Sequence, residues 1–328
     1  MHDFLRAGFL ALGLISGATG ISASALADDY PDHPVRIVVP YPAGGGTDIV
    51  TRIVGEKLAV ALGQRIVVDN RSGATGMIGA DVVAKSPPDG YTLLMANPAE
   101  VAYNQILYAK MSYNPVTDFA PITLVGWTPL LLAVHPSVPA RTVSELIALA
   151  KAKPGTLGYA SAGAGGAQHL AGEYFKSLAG VDLVHVPYRG AAPAINDVVA
   201  GQVPVIFMGM PAVVPHVRSG QLRALAVTSA KRSSALPDVP ALAEFPGLAE
   251  FDITNWFGLL APAGTPAPII ERVQREVAAI VEQPDVRERL ADQGLEPVGN
   301  DPATFGAFIR AETARYTHIV HLTGAHID

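Results

Sequence analysis

Two glycine-rich loops hold the residues whose types and spacing could do chemistry. Pro40-Tyr-Pro-Ala-Gly-Gly-Gly-Thr-Asp48 leaves an apolar run and enters a segment of helical periodicity, and Ser161-Ala-Gly-Ala-Gly-Gly-Ala-Gln-His169 is placed in the same way further along the chain. Glycines at such a junction let backbone N–H groups approach a ligand at the positive end of a helix, so each loop is an anion nest. Neither loop contains Lys or Arg. The chemistry implied is therefore solvation of an anion by peptide and hydroxyl donors, with no paired cation. His169 falls in the first turn of its helix, where the dipole favours neutral imidazole, suited to hydrogen-bond a ligand or the loop. Asp48 either orients its loop, accepts a bond from a ligand, or caps the helix start.

Other chemistries fit less well. Gly44 to Ile49 lacks the G-x-G-x-x-G spacing, Gly163 to Gln168 lacks its last glycine, and no G-x-x-x-x-G-K-[ST] occurs, so nucleotide binding is a weak alternative. Gly158-Tyr-Ala-Ser161-Ala-Gly163 misses the hydrolase elbow G-x-S-x-G because its first glycine stands one position too early. A hydrolase using Ser161 and His169 remains a rival, without an evident acidic third member. The other histidines show no metal-ligand spacing, and the chain has no cysteine; no metal and no cofactor are expected.

The elements that must position these loops follow from periodicity. Val35 to Val39 reads as a strand and Ile49 to Leu62 as an amphipathic helix closed by Gly63; strands at Ile66 to Val68 and Tyr91 to Ala96 flank a helix at Ala74 to Ala84. A second series has strands at Leu130 to Val134, Leu157 to Ala160, Leu183 to Val186, Val203 to Phe207 and Leu222 to Val227. Between them come helices at Val143 to Lys153, Ala167 to Leu178, Ala192 to Val199 and Ala212 to Val217. After a connector, an extended Phe251 to Leu260 precedes helices at Ile269 to Val281 and Thr304 to Leu322. Such alternation predicts mostly parallel α/β sheets. A chain that builds one sheet, crosses near Trp127 to Leu131, and returns near Phe251 to Asn255 makes two lobes and a hinge. We expect residues 28–128 with 252–328 in one lobe and 129–251 in the other, with a ligand site in the cleft between.

Composition agrees with export. Arg6, the apolar run Phe9 to Ile15 and Ala25-Leu-Ala27 fit a cleavable signal peptide over residues 1–27, and without cysteine no lipid anchor can be attached. A formal charge of -6, with basic residues scattered singly, argues against nucleic acid. With 49% hydrophobic and 16% charged residues the chain can bury two cores.

Longer motifs carry a resemblance. Tyr30-Pro-Asp-His-Pro-Val-Arg-Ile-Val-Val-Pro-Tyr-Pro-Ala-Gly-Gly-Gly-Thr-Asp48, Val68-Asp-Asn-Arg-Ser-Gly-Ala-Thr-Gly76, Pro87-Pro-Asp-Gly-Tyr-Thr-Leu-Leu94, Val186-Pro-Tyr-Arg-Gly190 and Asn255-Trp-Phe-Gly258 stand in the expected order. On these the chain resembles the Bug-type substrate-binding proteins of tripartite tricarboxylate transporters over its whole mature length. The resemblance implies a two-lobed periplasmic-binding-protein type II (Venus flytrap) fold, with mixed, mostly parallel sheets and flanking helices. It implies a soluble periplasmic monomer that takes a small mono- or dicarboxylate and hands it to membrane permease subunits, and that is not an enzyme; a sensor of the same fold is the alternative output. Carried over by position, the first loop offers Tyr41, Ala43, Gly44, Gly45, Thr47 and Asp48, and the second Ser161, Gly163, Gly165, Gly166 and His169. Asn97, Ala99, Tyr188, Met208 and Gly209 are further wall positions. Many relatives carry Asp where this chain has Met208, which argues against an amino-acid ligand and for an apolar or aromatic carboxylate.

Overall fold

The computed structural model describes residues 30–325, so the signal segment expected over residues 1–27 lies outside it. The chain opens with β1 (Val35–Val39), α1 (Gly46–Leu62), β2 (Ile66–Asn70), α2 (Met77–Ala84) and β3 (Thr92–Ala96). β1 is apolar on both sides because it is covered on both: Ile37 and Val39 pack with Val50, Ile53 and Leu58 of α1, and Val38 with Ala80 and Val83 of α2. A π-turn (Ala99–Tyr103) and the short α3 (Asn104–Leu107) lead to β4 (Phe119–Val134). Then follow α4 (Val143–Ala152), β5 (Leu157–Ser161), α5 (Ala167–Ala179), β6 (Leu183–Pro187), α6 (Ala191–Val199), β7 (Val205–Gly209), α7 (Met210–Arg218) and β8 (Arg223–Val227). The chain returns through β9 (Thr254–Pro262), α8 (Ala267–Val281), α9 (Pro284–Asp292), β10 (Glu296–Pro297) and α10 (Pro302–Thr323).

The strands lie in the order β2-β1-β3-β9-β4-β7-β5-β6, with β8 and β10 also on β4. β1, β2 and β3 run parallel, as do β5, β6 and β7, while β9 and β4 run against them. β4 serves two sheets: it pairs with β9 from Phe119 to Pro129 and with β7 from Leu130 to Val134. The sequence pattern shows only the last of these stretches as a strand. Pro121, Gly126 and Pro129 break the apolar run, and register shifts at Pro121/Thr123 and Leu124/Gly126 disturb its alternation. The pattern also misses α9, whose charged surface hides the two buried residues Val286 and Leu290, and the π-turn, which has no period of its own. The capping box expected at Thr142 forms in half: Thr142 Oγ1 accepts from the Glu145 amide at 3.2 Å, whereas Glu145 Oε2 takes the Arg141 amide.

The registers aim both sets of parallel strands at one place. Gly209 at the end of β7 pairs with Leu130, and Val205 at its start with Val134, so β7 runs toward the crossing. Ala96 at the end of β3 pairs with Gly258, nearer the crossing than the Leu94–Leu260 pair, so β3 runs toward it from the other side. Thr228 ties the two crossings together. Its Oγ1 accepts from the Leu130 amide at 2.8 Å and donates to the Ile253 carbonyl at 2.6 Å, and its backbone bonds Leu130 and Ile253 as well. Thr228 is fully buried. Thr228→Val keeps the shape and strands a buried donor and acceptor, which costs about 1–3 kcal/mol. The drop should appear in the midpoint of urea unfolding; an unmoved midpoint would show that the crossings do not depend on this hydroxyl.

Candidate functional site

Helices α1, α5, α6 and α7 each begin on a glycine: Gly45, Gly166, Gly190 and Gly209. In none of the four does the cap residue bond the helix start, so the first-turn N–H groups, which have no intrahelical partner, are left without a side-chain cap at the carboxyl ends of β1, β5, β6 and β7.

The first loop is held from beneath. The Asp48 carboxylate accepts from the Gly44 amide at 2.9 Å, from Arg52 Nε at 3.0 Å and from Asn70 Nδ2 at 3.1 Å, and Asn70 also donates to the Tyr41 carbonyl. Burial acts to raise the Asp48 pKa, but Arg52, the Gly44 amide and Asn70 outweigh it and hold the group below the usual carboxylate range. Of the three roles open in the sequence, Asp48 fills that of loop organiser. Thr47 Oγ1 donates to Asn97 Oδ1 at 2.9 Å, and Asn97 Nδ2 donates to Asn255 Oδ1 at 2.9 Å, so Asn97 joins the start of α1 to the start of β9. Ala43 and Gly44 are exposed; Tyr41 and Gly45 are half-buried.

The second loop is built around two imidazoles. Gly165, at φ +76°, takes a left-handed turn that a side chain would strain, and this lets its amide donate to His169 Nδ1 at 3.1 Å. That bond fixes the proton of neutral His169 on Nε2. Burial holds His169 below the usual imidazole range. His169 stacks on His185 with ring centroids 4.1 Å apart, and burial, then His169, push His185 down to about 4. Ser161 Oγ is 2.6 Å from His185 Nε2, 3.0 Å from the Gly163 carbonyl and 3.3 Å from the Gly163 amide. The hydroxyl thus closes the loop on itself, and Gly166 follows as the helix cap. Among the described residues no carboxylate bonds the other His185 nitrogen, so the pair lacks the third group that would orient a catalytic base.

The remaining wall candidates separate. Ala99 opens the buried π-turn beside Asn97, and Tyr103 on that turn shares a core with Ala167, Leu170 and Ala171 of α5, its hydroxyl oxygen facing the Ala167 amide. The π-turn of one lobe therefore reaches the helix start of the other. Tyr188 is tied to α6 through Asp197 at 2.6 Å, while its amide bonds the Ser161 carbonyl. Gly209 caps α7. Met208, read as a wall position, is packed among Leu131, Ala160 and Ile206, because strand alternation turns it toward the apolar layer. The inference drawn from it about an apolar or aromatic ligand therefore loses its footing. Sequence reasoning missed Tyr103, His185, Asn70 and Glu100. Glu100 is fully buried on the π-turn, its Oε2 accepting from the Asn97 amide at 2.6 Å. Burial pushes it up to about 7, against the pull of Tyr41 and the Asn97 amide.

Two sets of parallel strands joined through β4 and β9, with β3 and β7 both running toward the crossing, fit a periplasmic binding protein fold. Residues 50–324 match the family described as Tripartite tricarboxylate transporter family receptor, TctC. BugT of Bordetella pertussis is 39% identical over 317 residues, 96% of this chain and 97% of its own. The R. palustris protein Rpa4515, solved with adipate, superposes with a TM-score of 0.84 at 37% identity over 91% of this chain and all of its own; BugD gives 0.80 at 34% over 90% and 99%. MatC of Rhodopseudomonas palustris, solved with malate, gives 0.79 at 33% over 89% of this chain and all of its own. The chain belongs to the tripartite tricarboxylate transporter receptor family, a family of solute-binding proteins.

Glu100 makes the fold sensitive to pH. Its folded pKa of about 7 lies above the ordinary 4.5, so as pH rises from about 4.5 to about 7 the unfolded chain ionises first and stability falls. The loss by pH 8 is on the order of 3 kcal/mol. Glu100→Gln removes this slope, so thermal unfolding of wild type and variant should diverge between about pH 4 and about pH 8; parallel profiles would refute the assignment.

Proposed function

We propose that the chain captures a small organic mono- or dicarboxylate between residues 28–128 with 252–328 and residues 129–251, and passes it from the periplasm to the membrane permease of its transport system. Glycine-started helices without side-chain caps, following strands in the two sets that run toward one crossing, with no Lys or Arg in either loop, carry this reading. Peptide N–H groups of α1 and α5 hold the carboxylate, and the Nε2–H of neutral His169 adds a donor. Thr47, Asn97 and Ser161 keep the loops in shape. The neighbours solved with adipate and malate make linear dicarboxylates the first compounds to try. The chain acts as a monomer and catalyses nothing. Ser161 serves loop closure, and among the described residues no carboxylate hydrogen-bonds His185. Among the described residues no helix is long and apolar enough to cross a membrane, and no cluster of metal-ligating side chains occurs.

A thermal-shift screen of succinate, malate, glutarate, adipate, pimelate and benzoate tests the ligand class. A carboxylate at about 100 times its dissociation constant adds about 2.7 kcal/mol of stability. No shift with any of them would sink the reading. Gly165→Val, forced out of its left-handed turn, should abolish binding. His169→Ala should weaken it by about 1–3 kcal/mol. Calorimetric titration with unchanged affinity in both variants would place the ligand elsewhere.

A further inference from the structure

Glu100 does not hold the ligand on the reading above, yet it is wired to the first loop. Its Oε2 takes the Asn97 amide at 2.6 Å, and Asn97 Oδ1 takes Thr47 Oγ1 at 2.9 Å, at the second residue of α1. Its Oε1 is buried and has no hydrogen-bond partner among the described residues. That oxygen lies against the Cα of Gly76, where an added Cβ would fall 1.7 Å from it, so the acid fits only because position 76 has no side chain. The Tyr41 hydroxyl also approaches this carboxyl and favours its ionised form, but burial outweighs it, so the group stays costly to ionise.

We propose that capture of an anionic carboxylate in the interlobe site is coupled to uptake of a proton by Glu100, so that the first lobe sheds one negative charge as the ligand brings its own. This rests on the carboxylate reading of the site. The groups facing Glu100 are Tyr41 from the β1–α1 loop, Tyr103 on its own turn and Tyr113 from the segment before β4, with Asp81 of α2 acting on Tyr113. All three phenols are held above their ordinary range and stay neutral; no Lys, Arg or His contributes to the Glu100 shift. Arg52 is already engaged by Asp48 in the same loop. Among the described residues no cation acts on Glu100, so an anion arriving at the start of α1 repels the buried carboxylate and favours the protonated acid. Burial raises the acid to about 7, into the range where a further upward shift is taken up as proton binding at neutral pH. Coupling is reciprocal, so protons strengthen ligand binding as much as the ligand strengthens proton binding.

Calorimetric titration with adipate, or the best carboxylate of the screen, at about pH 7.5 in HEPES and in Tris tests the coupling. Adipate is itself fully ionised there. For wild type the heats should differ between buffers by the ionisation heat of a fraction of a proton, and affinity should fall by up to about tenfold per pH unit above about pH 7. For Glu100→Gln the heats should agree and the affinity should stay flat. Binding with identical heats in the two wild-type titrations overturns the coupling and leaves the carboxylate reading standing. No binding of any carboxylate overturns both. Equal buffer dependence in Glu100→Gln shows that the proton goes elsewhere and also overturns the proposal. If Glu100→Gln does not fold, infrared difference spectra of wild type with 13C-labelled adipate decide it: a new protonated-carboxyl band on binding supports the coupling, and its absence refutes it.

Discussion

Strand β4 is one continuous strand that two sheets must share, and the site follows from that constraint. Because the same backbone pairs with β9 in its first part and with β7 in its last, the sheets cannot be oriented independently. Their registers oblige β3 and β7 to end at opposite sides of one crossing, and every parallel neighbour ends there with them. Helix starts that would lie apart in two unconnected sheets are directed toward the same crossing. Thr228 then fixes how the outgoing and returning segments lie, through bonds to Leu130 and Ile253.

Among the described residues the two loops and the π-turn keep their own charges neutralised or suppressed. Asp48 is neutralised by Arg52 and spent on the loop, the two imidazoles are kept neutral by burial, and Glu100 is raised toward neutrality. What remains are peptide dipoles, which need no reorganisation to meet an anion. Burial makes an uncompensated ionised side chain expensive, so the depressed histidines and the raised acid have the same cause.

Much of this was legible beforehand. The β1–α1 and β5–α5 junctions announce themselves through the change of period from two to about 3.6 and through their glycines. The crossings near Trp127 and Asn255 were placed from the order of elements alone. The first half of β4 was not visible because Pro121, Gly126 and Pro129 imitate a loop, and their bulges can be recognised only once β9 lies alongside. Glu100 and Tyr103 were hidden because the π-turn has no repeating pattern. His185 sat in an ordinary strand and gained meaning only when β6 lay beside β5 and brought it to Ser161. Met208 shows the opposite error: a residue notable in the sequence is turned inward by strand alternation.

The glycine starts of the four helices bear on how such a receptor changes over generations. If the part of the ligand common to all carboxylates is held by the main chain, no side chain encodes that grip, and substitutions along the walls leave it in place. The walls can then drift toward new molecules through intermediates that still bind acids. A lineage built this way diversifies its diet by altering shape while inheriting its taste for anions unchanged.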